Sequence, residues 1–228
     1  MSDQLSKYVI EFRYRPIASA VDRRGDLADV MTSKSLTEWV IGKDRVDVFN
    51  PERNKAIFVS YQNCGIALEG ESGSVDSLLT SVQNAVKRLP EQDYQRFGLR
   101  LTSYVKTNRP FSSLLKSFQA KLTQENFLNK APKKVQVDDI ALVYDLSAGQ
   151  EKIHLQVGPM KADQAGGFFS TQEEIPETGV FIDVDIFSQP NPGATFKDAR
   201  RFVFSARPLA ESFCKHVCEI VEAQNAKK

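Results

Sequence analysis

Residues 179–187 read GVFIDVDIF, and their alternation decides the fold. In an extended chain Val180, Ile182, Val184 and Ile186 fall on one side, and Phe181, Asp183, Asp185 and Phe187 on the other. A period of two with one wholly apolar side describes a strand covered by helices on one face only. The two aspartates also pose a chemical question: they form either a metal-holding pair or a polar, ion-paired decoration of the uncovered side.

Downstream, the loop SQPNPGA (188–194) leads into a helix predicted from about 195 to 225, with the apolar stripe Phe202, Ala206, Leu209, Phe213, Val217 and Ile220. Upstream, strands are predicted near 135–147 and 151–159, followed by a glycine-containing excursion at 161–177. The polar NKAPKK (129–134) reads as a connector, dividing a single domain into halves 1–128 and 129–228. The first half opens with YVIEFRYR (8–15), where Tyr8, Ile10, Phe12 and Tyr14 alternate with Glu11, Arg13 and Arg15. Residues 17–31 read as helix broken at Gly25. Four short runs, LTEWVI, RVDVFN, KAIFVSYQ and GIALEGE, are joined by GKD, NPERN and NCG, links too short for anything but an antiparallel meander. A helix opening at Ser74, a strand over 96–106 and a helix over 111–122 complete this half. Each half thus runs from strands to a long helix. The expected fold is α+β: a curved antiparallel sheet of two structurally similar halves, helices packed on one face.

Composition narrows the function classes. The chain has 228 residues, 41% of them hydrophobic, as in an ordinary folded protein. Thirty basic against 29 acidic side chains leave +1, so no bulk field draws it to nucleic acid or an anionic membrane. MSDQLSKYVIEF lacks the features of a secretory leader and no apolar run reaches bilayer length, so a cytosolic protein without membrane contact is expected. Cys64, Cys214 and Cys218 are expected as free thiols.

On a strand, the carboxylates of Asp183 and Asp185 would sit roughly 6.5–7 Å apart on one side, close enough to bridge divalent ions. Nucleotidyltransferases of the polymerase-β type use such an Asp-x-Asp strand, with a Gly-Ser helix start and a third carboxylate. Here Gly166 and Gly167 precede FFSTQEEIP, where Thr171 and Glu174 offer a cap but Pro176 allows barely a turn. The motif CKHVC (214–218) does not make a metal site on a helix, because His216 lies about 200° around from Cys214. Ser113 and Lys116 match Ser-x-x-Lys without its companion motifs. With His154 and His216 the only histidines and no phosphate loop, no triad, cofactor or other catalytic residue is implied. The stretch 94–111 interleaves Arg96, Arg100, Lys106 and Arg109 with Tyr94, Phe97 and Tyr104, a pattern that offers nucleic-acid contact through Arg96, Lys106 and Arg109.

At RFGLRLTSYV and FIDVDIF the sequence resembles a sporadically distributed family of uncharacterised bacterial proteins of similar length. That family carries a Gly-Leu-Arg-Tyr-x-Asn strand motif in mid-chain and a Leu-Asp-Ile-Asp motif before its last helix. Gly98, Leu99 and Arg100 agree with the first motif, whereas Leu101 and Ser103 replace its tyrosine and asparagine; Asp183 and Asp185 match the second. The resemblance implies a curved sheet backed by helices, similar to SecB-like chaperones or hotdog folds, with these five residues as a structural motif. Physically, Arg100 is expected to pair with Asp183 or Asp185 and tie the halves together. The function expected is non-enzymatic protein or peptide binding in the bacterial cytosol, in a defence or toxin-control setting, with self-association open. The alternatives are a metal-dependent nucleotide enzyme using Asp183 and Asp185, or a nucleic-acid binder.

Overall fold

The alternation that begins the chain becomes β1 (Gln4–Tyr14), a strand at the centre of the sheet. The computed structural model describes residues 4–70, 75–122, 138–170 and 175–222. One edge of β1 pairs with the meander β2 (Glu38–Ile41), β3 (Arg45–Phe49), β4 (Lys55–Ser60) and β5 (Asn63–Glu69), through β5. Its other edge pairs with β6 (Tyr94–Lys106). Beyond β6 lie β9 (Thr178–Ser188), β8 (Glu151–Lys161) and β7 (Leu142–Ala148), giving the order β2-β3-β4-β5-β1-β6-β9-β8-β7. All these pairings are antiparallel, and the sheet does not close. The fold is α+β, as its strand and helix patterning predicts.

Among the described residues the helices are α1 (Ser19–Asp22), α2 (Arg24–Met31), α3 (Val75–Val86), α4 (Phe111–Leu122), α5 (Ala162–Ala165) and α6 (Phe196–Glu222). The break in the first helical segment falls at Arg23, which leaves the helical region with φ −98° and ψ 13°, while Gly25 continues inside α2. Of the strand expected near 135–147, residues 135–137 lie outside the described residues, and β7 begins at Leu142. The connector 129–134, the boundary between the halves, Ser74, Thr171 and Glu174 lie outside the described residues.

Strand register assigns the two faces. Ile10, Leu99 and Ile186 lie in one cross-strand row, as do Tyr8, Leu101 and Val184, and all are buried. Onto this face pack α2 through Leu27 and Met31, α3 through Leu79 and Val82, α4 through Leu114, and α6 through Val203, Ala206 and Ala210. Each valine, leucine or methionine side chain so removed from water is worth about 1.5–3 kcal/mol, which is why the amphipathic helices commit to this side.

Among the described residues the opposite face carries no long helix and is sealed locally. At Gly65 a β-carbon would fall 1.9 Å from the Ile10 carbonyl oxygen and 2.8 Å from the Phe58 ring, so only glycine admits this approach. The Arg45 guanidinium lies 4.0 Å over that ring. At the far corner Tyr104 covers Gly179 in the same way, and Ala165 of α5, Phe169 and Ile175 close over Tyr104 and Phe181. The Tyr104 hydroxyl donates to the carbonyls of Met160 (3.1 Å) and Pro176 (2.9 Å), fixing that cover.

Candidate functional site: the open face and the outer edge

Between these seals the uncovered face carries charge, placed by the alternation of β6 and β9. Register sets Thr102 opposite Asp183 and Arg100 opposite Asp185. Arg100 reaches diagonally to Asp183 in a fork, Nε to Oδ1 at 2.8 Å and Nη2 to Oδ2 at 2.7 Å. The Thr102 hydroxyl adds a third bond to Oδ1 at 2.9 Å. Asp183 is buried, so this bidentate geometry supplies the partners that water no longer can. The pairing expected of Arg100 therefore forms, and it forms with Asp183. It holds the guanidinium above its usual range, chiefly through those hydrogen bonds.

Asp185 is served less well. A single Arg96 Nη2 bond reaches it at 3.2 Å, while burial pushes its carboxyl above the usual range against the pull of Arg96 and Arg100. Arg96 lies 4.3 Å over the Phe187 ring, and its buried Nε has no hydrogen-bond partner among the described residues. As a metal pair the aspartates would have to release Arg100 and Thr102 first. Among the described residues no group of three or more His, Cys, Asp or Glu side chains is arranged to hold an ion.

The basic-aromatic stretch does not form one cationic surface. Arg96 and Arg100 are matched by the two aspartates. Lys106 lies about ten residues along the strand from Arg96, roughly 33 Å away. It borders an open cleft of about 800 Å³ with Arg109, Lys161 and Glu177. Arg109 is engaged there, donating to Ser113 and Ser117. The CKHVC residues diverge as helix geometry requires: Cys214 is buried, with its thiol pushed up to about 11 by burial, whereas exposed His216 bonds the Ser212 carbonyl through Nδ1 at 2.8 Å. No disulfide joins Cys64, Cys214 and Cys218.

The feature that residue-by-residue reading missed is the outer side of β7. It ends the sheet, and no described strand pairs with it. Val143 is 55%, Tyr144 44% and Leu146 37% exposed, with Val143 on the open face and the other two on the helix-packed face. At the opposite end β2 also exposes Trp39, Val40 and Ile41, but over four residues against the seven of β7. A sequence signal exists: LVYDLSA places apolar residues on both sides of its alternation with a single charge, unlike a half-buried strand. Its place at the sheet edge follows only from the assembled topology.

No protein-family model matches the chain, and no curated protein matches it in sequence.

Proposed function

We propose that this protein is a non-enzymatic binding module that takes an extended protein or peptide segment as an added strand along β7. The observation carrying the reading is the seven-residue edge itself, with Val143, Tyr144 and Leu146 exposed and its outward backbone groups without a partner strand among the described residues. Sheet edges are ordinarily blunted by lysine, proline, bulges or short length, because each outward N–H and C=O is a template for another strand. β7 has no lysine or proline, and its only charge, Asp145, is tied back to His154 at 2.9 Å. In strand addition the main chain supplies affinity and alternate side chains supply selectivity. A cytosolic setting, kinship with the bacterial family sharing the two motifs, and a defence, toxin-control or SecB-like role belong to the same proposal. Among the described residues no helix is long and apolar enough to cross a membrane.

The test is amide hydrogen exchange across 142–148 while the protein is titrated with a library of synthetic seven-residue peptides alternating valine and threonine around a variable centre. Binding that slows exchange in β7, and is lost in Tyr144→Lys/Leu146→Lys, is the expected result. Peptides that bind without protecting β7, or a library without a binder, would sink the reading.

A further inference from the structure

Resting on that reading of β7, we infer that its partner is a cationic strand: an extended segment with a lysine or arginine opposite Asp145 and apolar residues on either side of it. The inference comes from one row of the open face. Register aligns Asp145 on β7, His154 on β8, Asp185 on β9 and Arg100 on β6. On β9 the two carboxylates of this face have guanidinium partners, Asp183 from Arg100 and Asp185 from Arg96. Among the described residues Asp145 has only the imidazole of His154, and its side chain remains 86% exposed. On the same face of β8, Lys152 stands opposite Ser147 and donates to its hydroxyl at 3.0 Å. The row is therefore complete on its inner side, and its outermost carboxylate faces the position that a tenth strand would occupy. A residue directly opposite Asp145 there would place its Cβ about 4.5–5.5 Å away, within reach of a lysine or arginine head.

The neighbours of Asp145 set the flanking chemistry. Tyr144 and Leu146 lie on the other face of β7, so the partner residues beside the cation meet apolar surface. The recognised pattern is apolar–cation–apolar, read by a pleated chain whose residues alternate between the faces.

A second copy of this protein does not supply that pattern. Antiparallel two-fold pairing through β7 keeps the faces matched, so it centres on a residue. Centred on Val143 it sets Asp145 against Ala141, centred on Tyr144 against Val143, and centred on Asp145 against Asp145 itself. No lysine or arginine lies between residues 138 and 150, so every register built on this stretch leaves Asp145 without a cation.

The experiment compares two fluorescein-labelled peptides, Val-Thr-Val-Lys-Val-Thr-Val and the same peptide with glutamate at the centre, by anisotropy at low and high salt, with exchange protection of 142–148 as the second readout. The lysine peptide should bind roughly fivefold more tightly at low salt, from the difference between an opposite-charge and a like-charge cross-strand pair, and the gap should narrow as salt screens it. Asp145→Lys, at a position exposed enough to spare the fold, should invert the preference. Equal affinities that Asp145→Lys leaves unchanged, with β7 still protected, would overturn the charge selectivity and leave strand addition standing. Protection by neither peptide would overturn both. A dimer in the purified protein that Tyr144→Lys/Leu146→Lys splits would make the occupant a second copy and overturn the cationic partner.

Discussion

The seam between β6 and β9 and the outer side of β7 are both strand boundaries of one antiparallel sheet, and they are finished in opposite ways. At the seam every ladder position has a partner strand, and buried Asp183 is held by Arg100 and Thr102. At β7 the backbone ends the sheet, apolar side chains face water on both sides, and among the described residues the local carboxylate is held only by a histidine. Polar groups removed from water must be satisfied within the fold, whereas groups left in water can await a partner at little cost to stability. One boundary thus serves stability and the other is free to serve recognition.

If the comparison holds, the largest loss of stability comes from the seam. Asp183→Ala leaves a buried hydroxyl and a half-exposed guanidinium without their acceptor, and about 2–3 kcal/mol of stability should go, discounted from the full buried-pair cost because Arg100 still reaches solvent. Thermal denaturation should show a fall of roughly 5–10 °C; a change under 2 °C would mean that the fork is ornamental.

Asp185→Asn probes the weaker neighbour and should shift stability at neutral pH by less than about 1 kcal/mol, because the lost ion pair is offset by relief of a desolvated carboxylate. The pH dependence has a definite sign. The folded-state pKa of Asp185 lies above its unfolded value, so the stability tied to its protonation is present below the unfolded value and is lost as pH rises through the folded one. Measured melting curves of wild type minus variant should therefore move in favour of wild type as the pH falls from 7 towards 4. Movement in the other direction would show that Arg96 outweighs burial.

The smallest expected change in stability, within about 0.5 kcal/mol, belongs to Tyr144→Lys/Leu146→Lys, since both side chains already face water. Chemical denaturation of this variant beside Asp183→Ala separates the two boundaries directly. A comparable loss in both would mean that β7 is part of the stabilising core.

The sequence showed the strands and long helices plainly because each has one continuous apolar side. Ile10 with Phe12, and Val184 with Ile186, announce their strands, and α4 spans the predicted 111–122. Arg100 and the aspartates were legible as a pair because a polar residue on the uncovered side of a central strand needs a partner. The choice of Asp183 over Asp185 was not, since it depends on a diagonal reach between strands whose register lies in no local pattern. The edge position of β7 was hidden for the same reason. LVYDLSA carries the composition of an exposed strand, but only the order β9-β8-β7 leaves it outermost.

The placement of β1 has a consequence in time. The first strand described lies in the middle of the sheet, between partners that follow it by some fifty and ninety positions, and the fork across the seam joins residues 83 apart. Contacts of such long sequence separation are slow to close. During synthesis, which proceeds at about 5–20 residues per second, β1 must wait several seconds for both neighbours with the apolar side of Tyr8, Ile10 and Phe12 uncovered. Refolding should accordingly be slow for a chain of this size, with Arg100 and Asp183 among the last groups to meet.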